Sequence, residues 1–538
     1  MTGRQPVAGA APAVEAARSP DAVPRQRQVR PAWPSVWQLL RERAASTPDL
    51  PYLDIGDRSG AWCRLSFGEF HARAAAVADR LRGEHGIGHR TRVALIARND
   101  LESVQALFGV LATGAEVFLL SPNDPPERRA RQLAARAPNL VLGEEAVALT
   151  VAAPAGPPAA AHCPAVDSDP ALLFNTSGST DLPKTVVQPH QAVLTNAVAF
   201  CRHHRLRPGE RLLGFLPISH ANAVHTNLMA PLVAGCHSIL LPELAPFDLP
   251  RRIEELDPRL VSMVPSAVEA LLAVWRKPRR PPSLTHVLTA AAPLAASAAA
   301  RFTALTSVPV VQGYGLTETT NFSTSLPLDL PAGAYRRLMT EAGTPTVGAA
   351  FPGTEVSVVG PDGTPLPPGA TGEICMRGPS LMTGYLDDPA ATAAAFAGGR
   401  FHSGDLGQAV LDPDAGTVFV LTGRLKNIAK VRGEQVSLEE VEHGLTSVGG
   451  IRDAGCARTE HPLDGEQIVA AVVLDDLPAA AALTAAAVRD RLRATLPAVA
   501  VPRLLVRVPG IPRTPTGKIV RPALRQLIED HRRRGDQL

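Results

Sequence analysis

The stretch with the clearest chemical potential is Phe174–Val187, which reads FNTSGSTDLPKTVV. An apolar strand leads into a loop of Thr, Ser and Gly, and the loop then reaches Lys184. Hydroxyl and backbone N–H groups in such a loop bind anionic oxygens, and a lysine ammonium adds a point charge. The stretch therefore predicts a loop that grips nucleotide phosphates.

The same stretch is one residue away from a P-loop, whose pattern is GxxxxGK(S/T). The difference is Pro183, which stands where the P-loop has glycine before Lys184. Proline removes an N–H that should face phosphate and disfavours helix in the residue before it. The mismatch argues against a kinase or ATPase loop of the P-loop type.

Length and charge exclude several classes of protein. A chain of 538 residues is too long for one ordinary domain, and 54 basic against 51 acidic residues leave a net charge of only +3. This balance gives no nucleic-acid footprint, and the apolar runs are too short or too interrupted for a membrane span. Six scattered cysteines without CxxC spacing are typical of reduced thiols in a cytoplasmic protein.

Lysine usage is unusually selective. Only five of the 54 basic residues are lysine, and four of these lie in motif-like stretches: Lys184, Lys426, Lys430 and Lys518. A chain so rich in arginine keeps lysine where a compact ammonium is needed, or by accident, as we expect for Lys277 in a surface loop. The four lysines therefore mark candidate functional positions.

The elements around these residues alternate between strand and helix. A capping box at Ser66 and Glu69 opens a helix, and alternation follows from Val93 to Leu142 and again from Gln191 to Gln312. This pattern predicts parallel sheets with crossover helices. Short strands with Pro/Gly turns after Gly343 predict a β-rich subdomain, and a mixed pattern begins at about Arg424.

Taken with the motifs that follow it, the loop resembles the phosphate loop of the adenylate-forming superfamily. This superfamily comprises acyl-CoA synthetases, peptide-synthetase adenylation domains and luciferases, and its loop is roughly (Y/F)TSG(S/T)TGxPKGV. The resemblance covers about Trp33 to Leu527 and implies nucleotide binding by Thr176, Ser177, Gly178, Ser179, Thr180 and Lys184.

Further matches follow in the family's order. Leu216-Pro-Ile-Ser-His220 resembles the segment that gates the acyl pocket, which implies a catalytic role for His220. Ala290-Ala-Ala-Pro-Leu294 is similar to the turn that lies on adenine and implies contacts from Ala291, Ala292 and Pro293.

The string Gln312–Glu318 matches GYGxTE of the family. The resemblance implies that Gly313, Tyr314 and Gly315 border the nucleotide, with Tyr314 flanking adenine. It also implies that Thr317 contacts phosphate and that Glu318 holds Mg²⁺.

The last third of the chain carries the remaining matches. Ser403-Gly-Asp405 resembles the family motif whose aspartate binds ribose. A carboxylate suits this role because it can accept hydrogen bonds from both ribose hydroxyls. Gly423-Arg-Leu-Lys-Asn427 resembles the segment whose arginine contacts ribose and whose fifth residue is a hinge, and implies cofactor contacts from Arg424 and Lys426. The resemblance also implies that Gly433 lies beside the pantetheine tunnel. It further implies that Lys518 is the catalytic lysine of the family.

The resemblance implies an α/β fold with a large N-terminal domain, built from two α/β subdomains plus a small β-rich subdomain. A small, mobile α+β C-terminal domain follows. We expect a disordered leader over residues 1–32, the AMP-binding domain over 33–426 and the small domain over 427–538.

The implied activity is ATP-dependent conversion of a carboxylic acid to acyl-AMP, with release of pyrophosphate, followed by acyl transfer to coenzyme A. Two alternatives stay open: transfer to a carrier protein, an amine or an internal hydroxyl, and a degenerate binding protein without catalysis. The implied cofactors are ATP, Mg²⁺ and coenzyme A, in a monomer or homodimer. Candidates for the acid pocket are His220, Asn222, Ala223, Thr289 to Ala291, Gln312 and Leu316.

Four positions depart from the family pattern. Asp181 and Thr185 replace glycines of the phosphate loop, and Asp181 brings a negative charge towards phosphate. Asn427 replaces the usual hinge aspartate, and Leu438 replaces a common proline. We expect the loop changes to affect ATP affinity, and Asp181→Gly to tighten ATP binding.

Overall fold

The computed structural model describes residues 11–19, 21, 23, 28–143, 149, 163–176, 183–243, 245–276, 280–292, 294–432, 434–461, 465–475, 483–514 and 517–538. The chain forms two compact units. The first comprises Met1–Val356, Cys375–His402 and Leu411–Val418, and the second comprises Ser357–Ile374, Ser403–Val410 and Phe419–Leu538. The domain boundaries expected from the sequence, 1–32, 33–426 and 427–538, stay a prediction.

One sheet of the first unit leads into the phosphate loop. Its six strands lie in the spatial order Gly384–Tyr385, Thr185–Pro189, Pro170–Asn175, Glu116–Leu120, Arg92–Ile96 and Leu140–Leu142. The last four are parallel to one another. Parallel neighbours require crossovers, which the helices Leu101–Thr113 and Pro126–Arg136 supply. The α/β alternation predicted for this region is confirmed.

A second, larger sheet of the first unit supports the rest of the site. Its strands follow the spatial order Gly348–Ala350, Thr324–Ser325, Val310–Tyr314, His286–Thr289, Leu260–Met263, Arg211–Gly214, His237–Leu240, Pro51–Gly56 and Trp62–Ser66. The six strands from Val310–Tyr314 to Pro51–Gly56 are parallel. Ligands of such sheets bind beyond the carboxyl ends of the strands. The predicted site segments begin there, after Gly214, Thr289 and Tyr314.

The helices of the first unit start and stop on local signals. Phe67–His85 begins at the predicted capping box, in which Ser66 Oγ accepts from Glu69 N and the Glu69 carboxylate accepts from Ser66 N at 2.8 Å. It ends at Gly86, whose φ of 64° suits glycine. Further α-helices in the described part of this unit include Val36–Ser46, His190–His204, Leu249–Leu256, Pro265–Val274, Ala296–Thr306, Ala332–Tyr335 and Pro389–Ala395.

One predicted helix is interrupted. The sequence predicts a continuous helix from Asn222 to Val233, but the structure has α-helix over Ala221–Val224, a π-helix over His225–Met229 and α-helix over Ala230–Ala234. Pro231 has no N–H to donate to the carbonyl of Asn227, which instead accepts from the Ser238 hydroxyl. The expected helix is therefore present, with a local widening imposed by proline.

The second unit is an α+β assembly. The β-rich texture predicted after Gly343 is confirmed by the adjacent strands Glu355–Val359, Thr371–Arg377, Phe401–Asp412 and Gly416–Arg424. Of these strands, residues 357–359, 371–374, 403–410 and 419–424 belong to the second unit. A separate five-stranded sheet contains Glu434–Ser437, Ile428–Val431, Gly465–Leu474, Ile451–His461 and Leu504–Arg507. The α-helices Leu438–Thr446, Ala485–Arg493 and Arg521–Arg534 lie in the described part of the same unit.

The expected disordered leader contains a helix. Ala11–Arg18 is α-helical, Ala17 is fully buried, and the Arg18 side chain donates to the Leu381 carbonyl at 3.0 Å. The prediction of disorder is therefore wrong for this helix, because its small apolar side chains find a buried partner surface. Across the described ranges, none of the helices combines the length and the apolar character that crossing a membrane requires.

Candidate functional site

The phosphate loop is closed at its base by a β-hairpin. Asn175 pairs with Thr185 across the two antiparallel strands, and Thr176 N donates to the Lys184 carbonyl at 2.8 Å. The tip, which carries Ser177, Gly178, Ser179, Thr180 and Asp181, lies outside the described residues. The hairpin therefore fixes the two ends of the loop.

Thr185, one of the departures from the family pattern, is fully buried behind this loop. Its hydroxyl donates to Asn175 Oδ1 at 2.7 Å and accepts from Arg136 Nε at 2.9 Å. Arg136 also donates to the Pro183 carbonyl at 3.2 Å. The threonine is thus part of a polar cluster that joins both strands of the hairpin to the helix Pro126–Arg136.

Lys184 and Glu318, predicted to bind phosphate and metal, meet through a third residue. Lys184 Nζ lies 4.6 Å from the ring centroid of Tyr385, and the Tyr385 hydroxyl donates to Glu318 Oε1 at 3.0 Å. Burial, and then the negative charge of Glu318, raise the pKa of Tyr385 well above its usual value, so the phenol stays protonated. Tyr385 was not among the site residues predicted from the sequence.

The Gln312–Glu318 string ends the strand Val310–Tyr314 and turns sharply. Its glycines allow a close approach, because a Cβ on Gly315 would lie 1.6 Å from the Asn321 carbonyl oxygen and one on Gly313 would lie 2.6 Å from the Phe322 ring. Tyr314 is buried, whereas Thr317 and Glu318 are half-buried. The structure explains the glycines by packing, and their contact with nucleotide stays a prediction.

The turn after Glu318 is strained. Thr320 has a φ of 70°, which is rare for a β-branched residue, and its hydroxyl donates to the Ser380 carbonyl at 2.6 Å. Gln188 braces the turn, since its Nε2 donates to the carbonyls of Thr317 at 2.8 Å and Thr320 at 3.2 Å. Such over-determined strain is typical of functional sites.

The predicted adenine turn follows the strand His286–Thr289. Ala291 is exposed and has a φ of 73°, so this small-residue turn includes a left-handed residue. Leu294 N donates to Gln312 Oε1 at 3.1 Å, which ties the turn to the neighbouring strand. Ala292 is half-buried, and Pro293 lies outside the described residues.

The segment that ends at His220 is held by a buried asparagine. Asn99 Oδ1 accepts from Ile218 N at 3.0 Å, and Asn99 Nδ2 donates to the carbonyls of Leu216 and Leu241 at 3.1 and 3.0 Å. His220 itself is half-buried and directly precedes the helix Ala221–Val224. Asn99, which the sequence analysis missed, therefore positions the turn that presents His220.

Polar side chains link the beginning of that helix to the strained turn. Asn222 Nδ2 donates to Asn321 Oδ1 at 3.1 Å, and Ser262 Oγ donates to Asn222 Oδ1 at 3.3 Å. Asn321 Nδ2 donates to Thr226 Oγ1 at 3.4 Å. Asn222 was a predicted pocket residue, and the structure gives it two hydrogen-bonding neighbours, Asn321 and Ser262, while Thr226 extends the chain from Asn321.

One further pocket candidate, Gln312, has other surroundings, and the buried His225, which was not predicted from the sequence, lies beside Gln188. Gln312 is buried, with its Nε2 donating to the Thr346 carbonyl at 3.0 Å, so its amide serves the packing of the strand. His225 Nε2 lies 2.8 Å from Gln188 Oε1, and burial lowers the pKa of His225 to about 3, which keeps the imidazole neutral.

In the second unit, the two predicted ribose ligands are paired. Arg424 Nη2 donates to Asp405 Oδ2 at 3.2 Å, and Arg424 Nε also contacts Asp405 Oδ1. Ser403 Oγ accepts from Asp405 N at 3.0 Å and fixes the start of this segment. Asp405 is buried, so a bidentate arginine supplies the compensation that a buried carboxylate needs.

The predicted hinge lies on the short turn Leu425–Asn427. Lys426 is exposed on this turn, and Asn427 Nδ2 donates to Glu439 Oε1. Glu439 also accepts from Arg521 Nη2 at 2.9 Å. Gly433 lies outside the described residues, so its place beside a pantetheine tunnel stays a prediction.

Lys518 lies at the end of a tight turn. Thr514 N donates to the Lys518 carbonyl at 2.8 Å, Lys518 N donates to Thr514 Oγ1 at 3.1 Å, and Gly517 has a φ of 83°. Lys518 is half-buried, whereas Pro515 and Thr516 lie outside the described residues. The turn presents the lysine from the second unit.

These sites occur in a chain that matches two family models. Residues 40–386 match the AMP-binding enzyme family, and residues 440–518 match the AMP-binding enzyme C-terminal domain. The chain belongs to the AMP-binding enzyme family. The predicted resemblance to adenylate-forming enzymes is thereby confirmed.

Curated relatives of this AMP-binding enzyme include CoA ligases of similar length. The chain is 30% identical to a sulfoacetate–CoA ligase from Cupriavidus necator, over 90% of this chain and 96% of the relative. It is also 30% identical to a feruloyl-CoA synthase from an Amycolatopsis species, over 86% of this chain and 94% of the relative. The chain is thus an AMP-forming acid ligase of the acyl-CoA synthetase type, with ATP and coenzyme A as substrates.

Solved structures confirm the predicted fold class. ATP-bound MatB from Rhodopseudomonas palustris superposes with a TM-score of 0.79 at 24% identity, covering 92% of this chain and 99% of MatB. A fatty acyl CoA synthetase from Mycobacterium tuberculosis gives a TM-score of 0.70 at 25% identity, covering 92% and 98% of the two chains. Both the large N-terminal domain and the smaller C-terminal domain belong to this fold.

Proposed function

We propose that this AMP-binding enzyme activates a carboxylic acid that carries a second polar group, and transfers the acyl group to coenzyme A. The observation that carries the choice of acid is the chain of amide and hydroxyl groups Ser262–Asn222–Asn321–Thr226. Buried polar groups favour ligands that satisfy their hydrogen bonds and reject apolar ones.

In the first step, an oxygen of the acid attacks the α-phosphorus of ATP. A new O–P bond forms, the bond from the α-phosphorus to the bridging oxygen breaks, and pyrophosphate leaves with the electron pair. Acid and ATP are both anionic, so the enzyme must offset their repulsion. Lys184, the loop hydroxyls, Thr317 and Lys518 supply hydrogen bonds and positive charge for this purpose.

The residues present fit a magnesium ion. Mg²⁺ in nucleotide sites takes one or two protein carboxylates and completes its shell with phosphate oxygens and water. Glu318, which follows Thr317 in the chain, offers one half-buried carboxylate that is oriented by Tyr385. When bound there, Mg²⁺ would neutralise phosphate charge.

In the second step, the thiol of coenzyme A attacks the acyl carbon of acyl-AMP. The C–S bond forms, the bond from the acyl carbon to the phosphate oxygen breaks, and AMP leaves. Both steps use the same acyl pocket, so we propose that the C-terminal domain moves about Asn427 and takes Lys518 out of the site between them. Asp405 and Arg424 hold the ribose throughout.

The test is ATP–pyrophosphate exchange across a panel of acids, followed by mass analysis of products with coenzyme A. The panel pairs polar acids, sulfoacetate among them, with apolar acids of equal length and with aromatic acids. We expect the polar acids to give the highest kcat/KM and a coenzyme A thioester. Asn222→Leu should reverse the preference within a pair, while KM for ATP stays constant as the internal control.

Two outcomes would overturn parts of the proposal. The assignment of a polar acid would be wrong if the unchanged protein supported pyrophosphate exchange with apolar acids and Asn222→Leu did not alter that exchange. Exchange without a coenzyme A thioester, but with loading of a carrier-protein thiol, would favour the second acceptor.

We also keep the cytoplasmic location and a monomeric or homodimeric state as proposals. The scattered free cysteines support the first, because reduced thiols are typical of the cytoplasm. Light scattering on the purified chain tests the second, and a larger assembly would contradict it.

A further inference from the structure

Tyr385 separates two oppositely charged groups of the first unit. Its ring faces the Lys184 ammonium, with 4.6 Å from Nζ to the ring centroid, and its hydroxyl donates to Glu318 Oε1 at 3.0 Å. In the part of the chain that the structure describes, Lys184 and Glu318 make no direct ion pair. The tyrosine therefore contacts both charges while they remain apart.

The backbone around Tyr385 explains why it can do this. On one side, Thr383 N donates to the Val187 carbonyl at 2.9 Å and Leu386 N donates to the Thr185 carbonyl at 2.7 Å, which attaches the segment to the strand that follows Lys184. On the other side, Met382 N donates to the Glu318 carbonyl at 2.8 Å. One short segment is thus hydrogen-bonded to the neighbourhoods of both charged residues.

The two contacts of the side chain are chemically different. The ring face attracts the ammonium through its quadrupole, which leaves the three N–H donors of Lys184 free to turn towards an anion. The phenol O–H bonds one carboxylate oxygen of Glu318 and fixes its orientation without neutralising its charge. A direct Lys–Glu pair would instead cancel both charges and occupy both groups.

We propose that Tyr385 is a positioning residue that holds Lys184 ready for nucleotide phosphate and Glu318 ready for a divalent cation, and prevents them from pairing with each other. The proposal rests on the proposed function, because it assigns ATP and Mg²⁺ to these groups. It gives the ring and the hydroxyl separate roles. The ring serves phosphate binding and the hydroxyl serves the cation.

The two roles are separated by Tyr385→Phe, which keeps the ring, and Tyr385→Leu, which removes both parts. Tyr335→Phe is the matched control, because the Tyr335 hydroxyl also makes hydrogen bonds, to Thr303 and to the backbone of Val310, outside the proposed site. The dissociation constant of ATP is measured by calorimetry in EDTA and at increasing Mg²⁺, without acid, so that no turnover is needed. Acid-dependent pyrophosphate exchange is measured alongside.

We expect Tyr385→Phe to bind ATP in EDTA within about 2-fold of the unchanged protein, and to lose about 10-fold of the tightening that Mg²⁺ produces. Tyr385→Leu should also weaken binding in EDTA, by about 3- to 10-fold. In exchange assays, Tyr385→Phe should need more Mg²⁺ for half-maximal rate. Tyr335→Phe should change none of these values.

The proposal would be overturned if Mg²⁺ tightened ATP binding to Tyr385→Phe as much as it tightens binding to the unchanged protein. It would also be overturned if Tyr385→Phe lost the same factor of ATP affinity in EDTA and in Mg²⁺. Failure of the proposed function looks different. If the proposed function fails, the unchanged protein itself shows no acid-dependent pyrophosphate exchange. If only this inference fails, the unchanged protein shows exchange and the Tyr385 variants behave as it does.

Discussion

Arg136 Nε donates to Thr185 Oγ1 at 2.9 Å directly behind the phosphate loop, at the position where the family pattern that the loop resembles has glycine. The Thr185 hydroxyl passes the bond on to Asn175 at 2.7 Å. The threonine therefore contributes hydrogen bonds to the base of the hairpin, so the departure from the family pattern is more than the loss of a glycine.

Removing this hydroxyl should destabilise the first unit. Thr185→Val keeps the shape but leaves Arg136 and Asn175 without their partner, at a cost of about 1–3 kcal/mol for buried polar groups. Thr185→Ser keeps the hydroxyl and serves as the control. In thermal unfolding, the midpoint temperature of Thr185→Val should be lower than that of Thr185→Ser. The reverse order would contradict the role of the cluster.

Lys518 should act in the first half-reaction alone. Lys518→Ala removes a charge that stabilises the transition state of adenylation, so pyrophosphate exchange should fall by about 100-fold or more. Thioester formation from supplied acyl-AMP should stay largely intact. Arg533→Ala, an exposed position on the last helix, is the control. Equal loss of both half-reactions in Lys518→Ala would refute the assignment.

Asn427 should not tolerate the aspartate that is usual in the family. Its amide donates to Glu439, so Asn427→Asp removes the donor and faces two carboxylates towards each other. We expect a loss of about 1–3 kcal/mol in the second unit at neutral pH. The loss should be read from its thermal midpoint. Adding Glu439→Gln should restore part of the stability, and no restoration would contradict the proposed repulsion.

Acid should destabilise the first unit through a buried histidine pair. His204 Nδ1 lies 2.9 Å from His286 Nε2, and burial lowers the pKa of His286 to about 3 and that of His204 well below its usual value. Between these lowered pKa values and pH 6.5, the two histidines bind protons in the unfolded chain but not in the folded chain. Each histidine therefore removes about 1.4 kcal/mol of stability per pH unit as the pH falls below 6.5.

The variant His286→Asn should show a smaller drop in thermal midpoint between pH 7.5 and 5.5 than the unchanged protein. His85→Asn, at an exposed position, should behave like the unchanged protein. An undiminished pH dependence in His286→Asn would show that the pair does not carry the effect.

Local sequence signals predicted much of the fold. The capping box at Ser66 and Glu69 and the strands Glu116–Leu120 and Leu140–Leu142 are found as expected, because turn chemistry and apolar runs act over a few residues. The helix after His220 was predicted, but its interruption was not. Pro231 leaves the Asn227 carbonyl without its helical donor, and the Ser238 hydroxyl, from a separate strand, donates to that carbonyl instead.

The site shows the same division. The motif positions Asp405 and Arg424 were predicted from their strings, and the structure brings them into contact. Tyr385, Gln188 and Asn99 were missed because their roles depend on partners far away in the chain. Tyr385, for example, lies 67 residues from Glu318, and the pairing of its strand with Val186–Val187 is what brings the ring to Lys184.

The most direct test of the central claim is a stoichiometric count of products from one incubation with ATP, Mg²⁺, a polar acid and coenzyme A. An AMP-forming acid–CoA ligase must produce AMP, pyrophosphate and acyl-CoA in equal amounts, and AMP formation must depend on the acid. ADP in place of AMP, or AMP released without the thioester, would contradict the claim.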